Sequence, residues 1–111
     1  MSNPEEQDLF VAEAIRDTSD HMSEVSVENY GSQTRTLLIH NKLDESVSIQ
    51  VQGDRESTFS NPMDIGSAIV VSANTNEYTT MTQYFPFIRI KATCSVAPTT
   101  GSLSSWIERG F

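Results

Sequence analysis

Residues 84–107, YFPFIRIKATCSVAPTTGSLSSWI, decide the fold class. From Ile88 the stretch has period two, with Ile88, Ile90, Ala92, Cys94 and Val96 on one face and Arg89, Lys91, Thr93 and Ser95 on the other. That alternation requires a strand with one buried side and one wet side. Pro98 to Gly101 interrupts it, because proline fixes its own φ and glycine tolerates positive φ. Leu103 and Ile107 then resume the pattern, so the stretch predicts two strands joined by a tight turn.

The chain before it carries the same signal. Thr34 to Asn41 is apolar at Leu37, Leu38 and Ile39, as a strand covered on both sides would be. Lys42 to Glu45 is a turn, and Val47, Ile49 and Val51 alternate with Ser48, Gln50 and Gln52. The polar, breaker-rich stretch GDRESTFSNPMD, from Gly53 to Asp64, predicts the longest loop and a natural binding surface. Ile65 to Ala73 and Glu77 to Thr82 complete a set of strands separated by turns. The expected fold is all-β, an antiparallel, jelly-roll-like β-sandwich occupying residues 33–111.

Residues 1–32 read differently, as an acidic arm made of a short helix and an extended linker. Ser2-Asn3-Pro4-Glu5-Glu6 has a capping side chain, proline at the first helical position and carboxylates suited to the macrodipole, which predicts a helix from Pro4 to Asp17. Leu9, Phe10, Val11, Ala14 and Ile15 would form its apolar stripe and the partner-binding surface of the arm. An isolated helix of about 14 residues is marginal in water, so it must dock on something. Val25 and Val27 alternate with polar residues and suggest a short edge strand.

Charge supports that division. The formal net charge is −8, of which residues 1–30 carry −7 and the rest −1. An acidic appendage on a nearly neutral body offers no basic stripe for phosphates, so nucleic acid is not an expected partner. No apolar run approaches the roughly 20 residues of a membrane span, and the N-terminus is acidic where a signal peptide would be basic. The expectation is a soluble chain made in a cytoplasm. Cys94, the only cysteine, lies on an apolar strand face and reads as an inert buried thiol.

No catalytic pattern emerges from the residues. His21 and His40 sit in no ligand motif, the five glycines form no phosphate loop, and Asp44-Glu45 in a turn is a poor pair for glycoside hydrolysis. Neither a metal, a cofactor nor enzymatic activity is expected. The aromatic residues Tyr78, Tyr84, Phe87 and Trp106 offer either a subunit interface or a platform for stacking sugar rings. Strict alternation sets Trp106 opposite Leu103 and Ile107, either on the outer face or in a second contact layer.

The succession of VSIQVQG at 47–53, VSANTNEY at 71–78, YFPFIRIKATCSVAPTTGSL at 84–103 and WIE at 106–108 resembles small β-sandwich proteins among the structural genes of tailed phages and tailed archaeal viruses. The most specific segments are Tyr84 to Arg89 and Ala97 to Gly101, and the likeness covers roughly residues 33–109, excluding the acidic arm. It implies a virion component, such as a capsid decoration or turret subunit, a head–tail connector or a tail protein. Its expected partners are other virion proteins and further copies of itself. A carbohydrate-binding module touching a host surface is the alternative.

Overall fold

Apolar alternation carries through to nine strands in the computed structural model, which describes residues 6–27, 34–81 and 85–110. They are β1 (Glu6–Glu13), β2 (His21–Met22), β3 (Ser26–Val27), β4 (Thr34–Asn41), β5 (Val47–Asp54), β6 (Met63–Val71), β7 (Thr75–Met81), β8 (Phe87–Thr93) and β9 (Leu103–Gly110). One antiparallel sheet has the order β1-β9-β4-β7; the other runs β2-β8-β5-β6, with β3 also on β8. Among the described residues no helix is present. Their inner faces meet in one core, to which Leu37, Ile39, Leu103 and Ile107 contribute from the first sheet and Val47, Ile49, Ile88, Ile90 and Ala92 from the second. Most connections cross from one sheet to the other, and the two strand orders together are those of a jelly-roll-like sandwich.

The expected hairpin at residues 84–107 is replaced by such a crossover. Both strands exist where the alternation set them, but β8 pairs with β5, β2 and β3 while β9 pairs with β4 and β1. The breaker segment therefore spans the sandwich. It packs so tightly on the β4–β5 turn that a Cβ at Gly101, which has φ +91°, would collide with the Lys42 carbonyl. Alternation reports which side of a strand is buried and is silent about its neighbour in the sheet.

A second correction concerns the arm. The expected helix is the strand β1, with Gln7 opposite Ile107 and Asp8 opposite Trp106. Register shifts between Asp8 and Phe10 and between Phe10 and Glu13, with Ala12 at φ 48°, allow the adjacent Leu9 and Phe10 both to reach the core. Consecutive apolar residues that mimic a helical stripe are thus accommodated by bulges. The edge of β9 and the space between the sheets supply more than a marginal helix could gain alone. Further along, β2 and β3 close the other sheet, so the described part of residues 1–32 contributes strands to both layers.

Candidate docking edge and outer faces

Among the described residues each sheet ends in two edges, and three of the four are blunted. β1 carries the two register shifts just described. On the same side of the molecule, β2 is two residues long and β3 is two residues long among the described residues. In β6 three residues, Gly66 to Ala68, bulge between Ile65 and Ile69 opposite Gln50 alone. Gly66 takes φ +69°, and the Gln50 amide donates to the Ile65 and Gly66 carbonyls at 3.4 and 3.2 Å, holding the bulge open. Bulges and short strands are devices that stop a sheet edge from recruiting another strand.

The fourth edge, β7, has none of them. It pairs with β4 in unbroken register from Thr75 opposite Asn41 to Met81 opposite Arg35. Its sequence, TNEYTTM, holds one charge, Glu77. Beside it, where β7 faces β6 across the sandwich, lies a cavity of about 170 Å³ lined by Val51, Ile65, Ile69, Thr79 and Met81, among others. Ile65 and Ile69 remain half-buried there, while their cross-strand counterparts Val51 and Ile49 are buried.

The outer face of the first sheet presents a row across three strands, Trp106 on β9, Leu38 on β4 and Tyr78 on β7. Tyr78 is 72% exposed. Trp106 is half-buried, with the His40 ring against it edge-on at 4.6 Å between centroids. Of the expected aromatic set, the structure thus brings Tyr78 and Trp106 onto one face. Phe87 belongs to β8 in the other sheet, and Tyr84 lies outside the described residues.

Of the five arm residues expected to bind a partner, Leu9, Phe10 and Ile15 are buried in the protein's own core. Only Val11 and Ala14 are exposed. Those three side chains hold the arm to its own body.

The long loop after β5 is closed down. Phe59, at φ 52°, is buried with the Arg89 guanidinium 4.3 Å from its ring centroid. Arg89 Nε donates to Gln52, whose amide donates to Asp64, both at 3.0 Å. The loop's ends are tied by Asp54, which accepts from the Glu56 and Asn61 backbone N–H groups at 3.1 and 2.9 Å. Burial alone would raise the Asp54 pKa, but these donors outweigh it and hold the carboxyl below its usual range. A cavity of about 420 Å³ remains at the loop base among Asp54, Arg55, Asn61, Met63 and Phe85.

Sequence reasoning missed the side chains that clamp the turns. Buried Asn41 donates through Nδ2 to the Glu45, Val71 and Ser72 carbonyls, each at 3.1 Å, and accepts from the Leu43 N–H at 3.0 Å. Asp44 accepts from the Thr99 hydroxyl and from the Thr99 and Thr100 N–H groups, led by the hydroxyl in lowering its pKa. Asp17 is likewise lowered, first by the His21 ring at 2.8 Å and then by Ser19. An Asx residue before a turn is the signal that would have flagged Asn41 and Asp44. Cys94 is buried, and that burial, followed by the charges of Glu45 and Asp17, pushes its thiol up. Among the described residues no three His, Cys, Asp or Glu side chains are gathered as a metal cluster would need.

No family model and no curated protein matches the chain. Its fold is similar to that of the PBSX exported protein XepA, with a TM-score of 0.73 and 10% identity. The match covers 99% of this chain and 39% of XepA, so the chain spans well under half that protein's length. It is also similar to PirA, with a TM-score of 0.59 and 13% identity, covering 99% of this chain and 97% of the other. At such identities the likeness defines a shared all-β fold, one that includes the N-terminal strands as well as the body.

Proposed function

We propose that the chain is a non-enzymatic structural component of a virus particle, a capsid decoration or turret, head–tail connector or tail protein, that assembles through protein–protein contacts. The observation that carries this reading is the contrast among its edges: among the described residues three are blunted against pairing, while the regular β7 edge has no strand beside it and borders a cavity partly lined by Ile65, Ile69 and Met81. A fold shared with the phage PBSX exported protein XepA supports the viral setting. Other virion proteins are its partners, and repeated copies around a symmetry axis would make a modest contact avid.

The test is to purify the particles produced by the source of this chain and quantify it by mass spectrometry against a major capsid protein. Stoichiometric incorporation is expected. Recovery only in the particle-free fraction overturns the reading.

A second reading is favoured by Trp106 and Tyr78 lying in one outward row, two strand spacings or about 10 Å apart. Such a pair can stack on two sugar rings of a host glycan. On this reading Tyr78→Ala and Trp106→Ala abolish glycan-array binding and leave the fold intact, whereas the assembly reading has no glycan signal to lose.

A further inference from the structure

We infer that β7 is the docking site for an extended segment of another protein, added as a fifth strand to the first sheet in antiparallel direction; the inference rests on the assembly reading above. The backbone register identifies the groups that would receive it. Lys42 N–H donates to the Ser102 carbonyl on the β9 side at 2.9 Å. By the alternation of an antiparallel ladder, Thr36, Leu38 and His40 also turn their backbone groups toward β9, and Leu37 and Ile39 turn theirs toward β7. Thr79 and Glu77, the β7 residues opposite Leu37 and Ile39, are therefore used inside the sheet. Asn76, Tyr78 and Thr80 direct three N–H and three C=O groups at the open edge.

Side chains specify the occupant. Thr79 and Glu77 sit opposite the buried Leu37 and Ile39, so they share the inner side of the strand, along the cavity floored by Ile65, Ile69 and Met81. A strand laid on β7 would place alternate side chains on this side. The one opposite Thr79 meets aliphatic surface with room for a valine or isoleucine, and the one two residues later meets the exposed Glu77 carboxylate. The matching segment, read from its N-terminus, is apolar-x-apolar-x-basic.

A second copy of this chain does not meet that description. Two-fold pairing of β7 with itself about Glu77 would oppose two carboxylates, and pairing about Tyr78 would set the second Glu77 opposite Thr79, over the aliphatic floor. The chain's net charge of −8 also favours a basic partner over a copy of itself.

The probe is the acetylated and amidated heptapeptide TVTVTKT, titrated into the full-length chain with the backbone amides followed by NMR. The expected result is saturable binding that protects the amides of Asn76, Tyr78 and Thr80 from exchange. The peptide TVTVTET should bind about tenfold more weakly, and the chain variant Glu77→Lys should reverse that preference. Thr80→Pro removes one edge donor without touching the β4 ladder and should weaken TVTVTKT about tenfold; Glu77→Lys serves where that variant fails to fold. Absence of binding, shifts confined to other faces, or self-association through β7 without peptide each overturn the inference. A chain found in particles that ignores both peptides retains the virion reading and loses this one; a chain absent from particles that binds TVTVTKT does the reverse.

Discussion

The two long sides of the sandwich are built differently. On one side, β1 stands over β2 and β3: its strands are bulged or short, yet they carry Leu9, Phe10 and, in the segment after β1, Ile15, all buried. On the other, β6 faces β7, with Ile65 and Ile69 half-buried and Met63, Val70 and Tyr78 exposed. The first side contributes heavily to the core, although a cavity of about 220 Å³ remains there among Leu9, Phe10, Val11 and Met22. The second contributes less, its Ile65 and Ile69 being only half-buried. The acidic N-terminal segment is therefore a stabilising element, and the β7 edge at the opposite end of its sheet, with Glu77 as its one charge, is where association is expected.

Removing residues 1–30 should break this contrast most severely. The deletion exposes the edges of β8 and β9 and removes Leu9, Phe10 and Ile15 from the core. At about 1.5–3 kcal/mol per buried side chain, the loss approaches the whole stability of a domain this size. A chain lacking a cooperative thermal transition is expected, and a truncated chain that melts like the full one would show that the closed side is dispensable.

Single substitutions refine the contrast. Leu9→Ala on the closed side should cost about 2–5 kcal/mol in denaturant unfolding, as core truncations do. Ile69→Ala on the open side should cost about 1 kcal/mol, because its side chain is only partly removed from water. Equal costs would mean that the β6–β7 seam is as well packed as the rest.

A smaller effect is expected from acid. Asp17, Asp44 and Asp54 all have folded-state pKa values below the ordinary 3.8. The stability they contribute is complete above their unfolded-state values and is lost as pH falls through the lowered folded-state ones. Between pH 6 and pH 2 the melting temperature should therefore fall for the wild type, and less steeply for Asp54→Asn. The smallest effect belongs to Tyr78→Ala, which should change stability by no more than about 0.5 kcal/mol. A larger loss would mean that the exposed ring supports the fold.

Particular elements show what could be read without coordinates. Alternation located β5, β8 and β9 and set Ile88, Ile90, Val47, Ile49 and Val51 inward, because a period of two is a local property of an extended chain, while β4 was legible from its apolar run Leu37 to Ile39. It also turned Trp106 away from Leu103 and Ile107, and the structure settles it on the outer face. The helical reading of Leu9 to Ile15 failed because a bulge lets neighbouring apolar residues share one face, and only the waiting edge of β9 makes that worthwhile. Of the partner-binding residues expected in the arm, Leu9, Phe10 and Ile15 went to the core, while Val11 and Ala14 stayed exposed.

The sequence by itself determined that the body from residue 33 onward is β, which residues are buried along most of its strands, where its turns fall and where charge accumulates. Tertiary structure decided the rest: that β8 and β9 lie in different sheets, that residues 6–27 add strands to both, and that β7 is the edge left open. Burial preference is written in each residue's own chemistry. Strand neighbours and edges arise from long-range pairing, in which each strand takes whatever ladder and cavity the others leave.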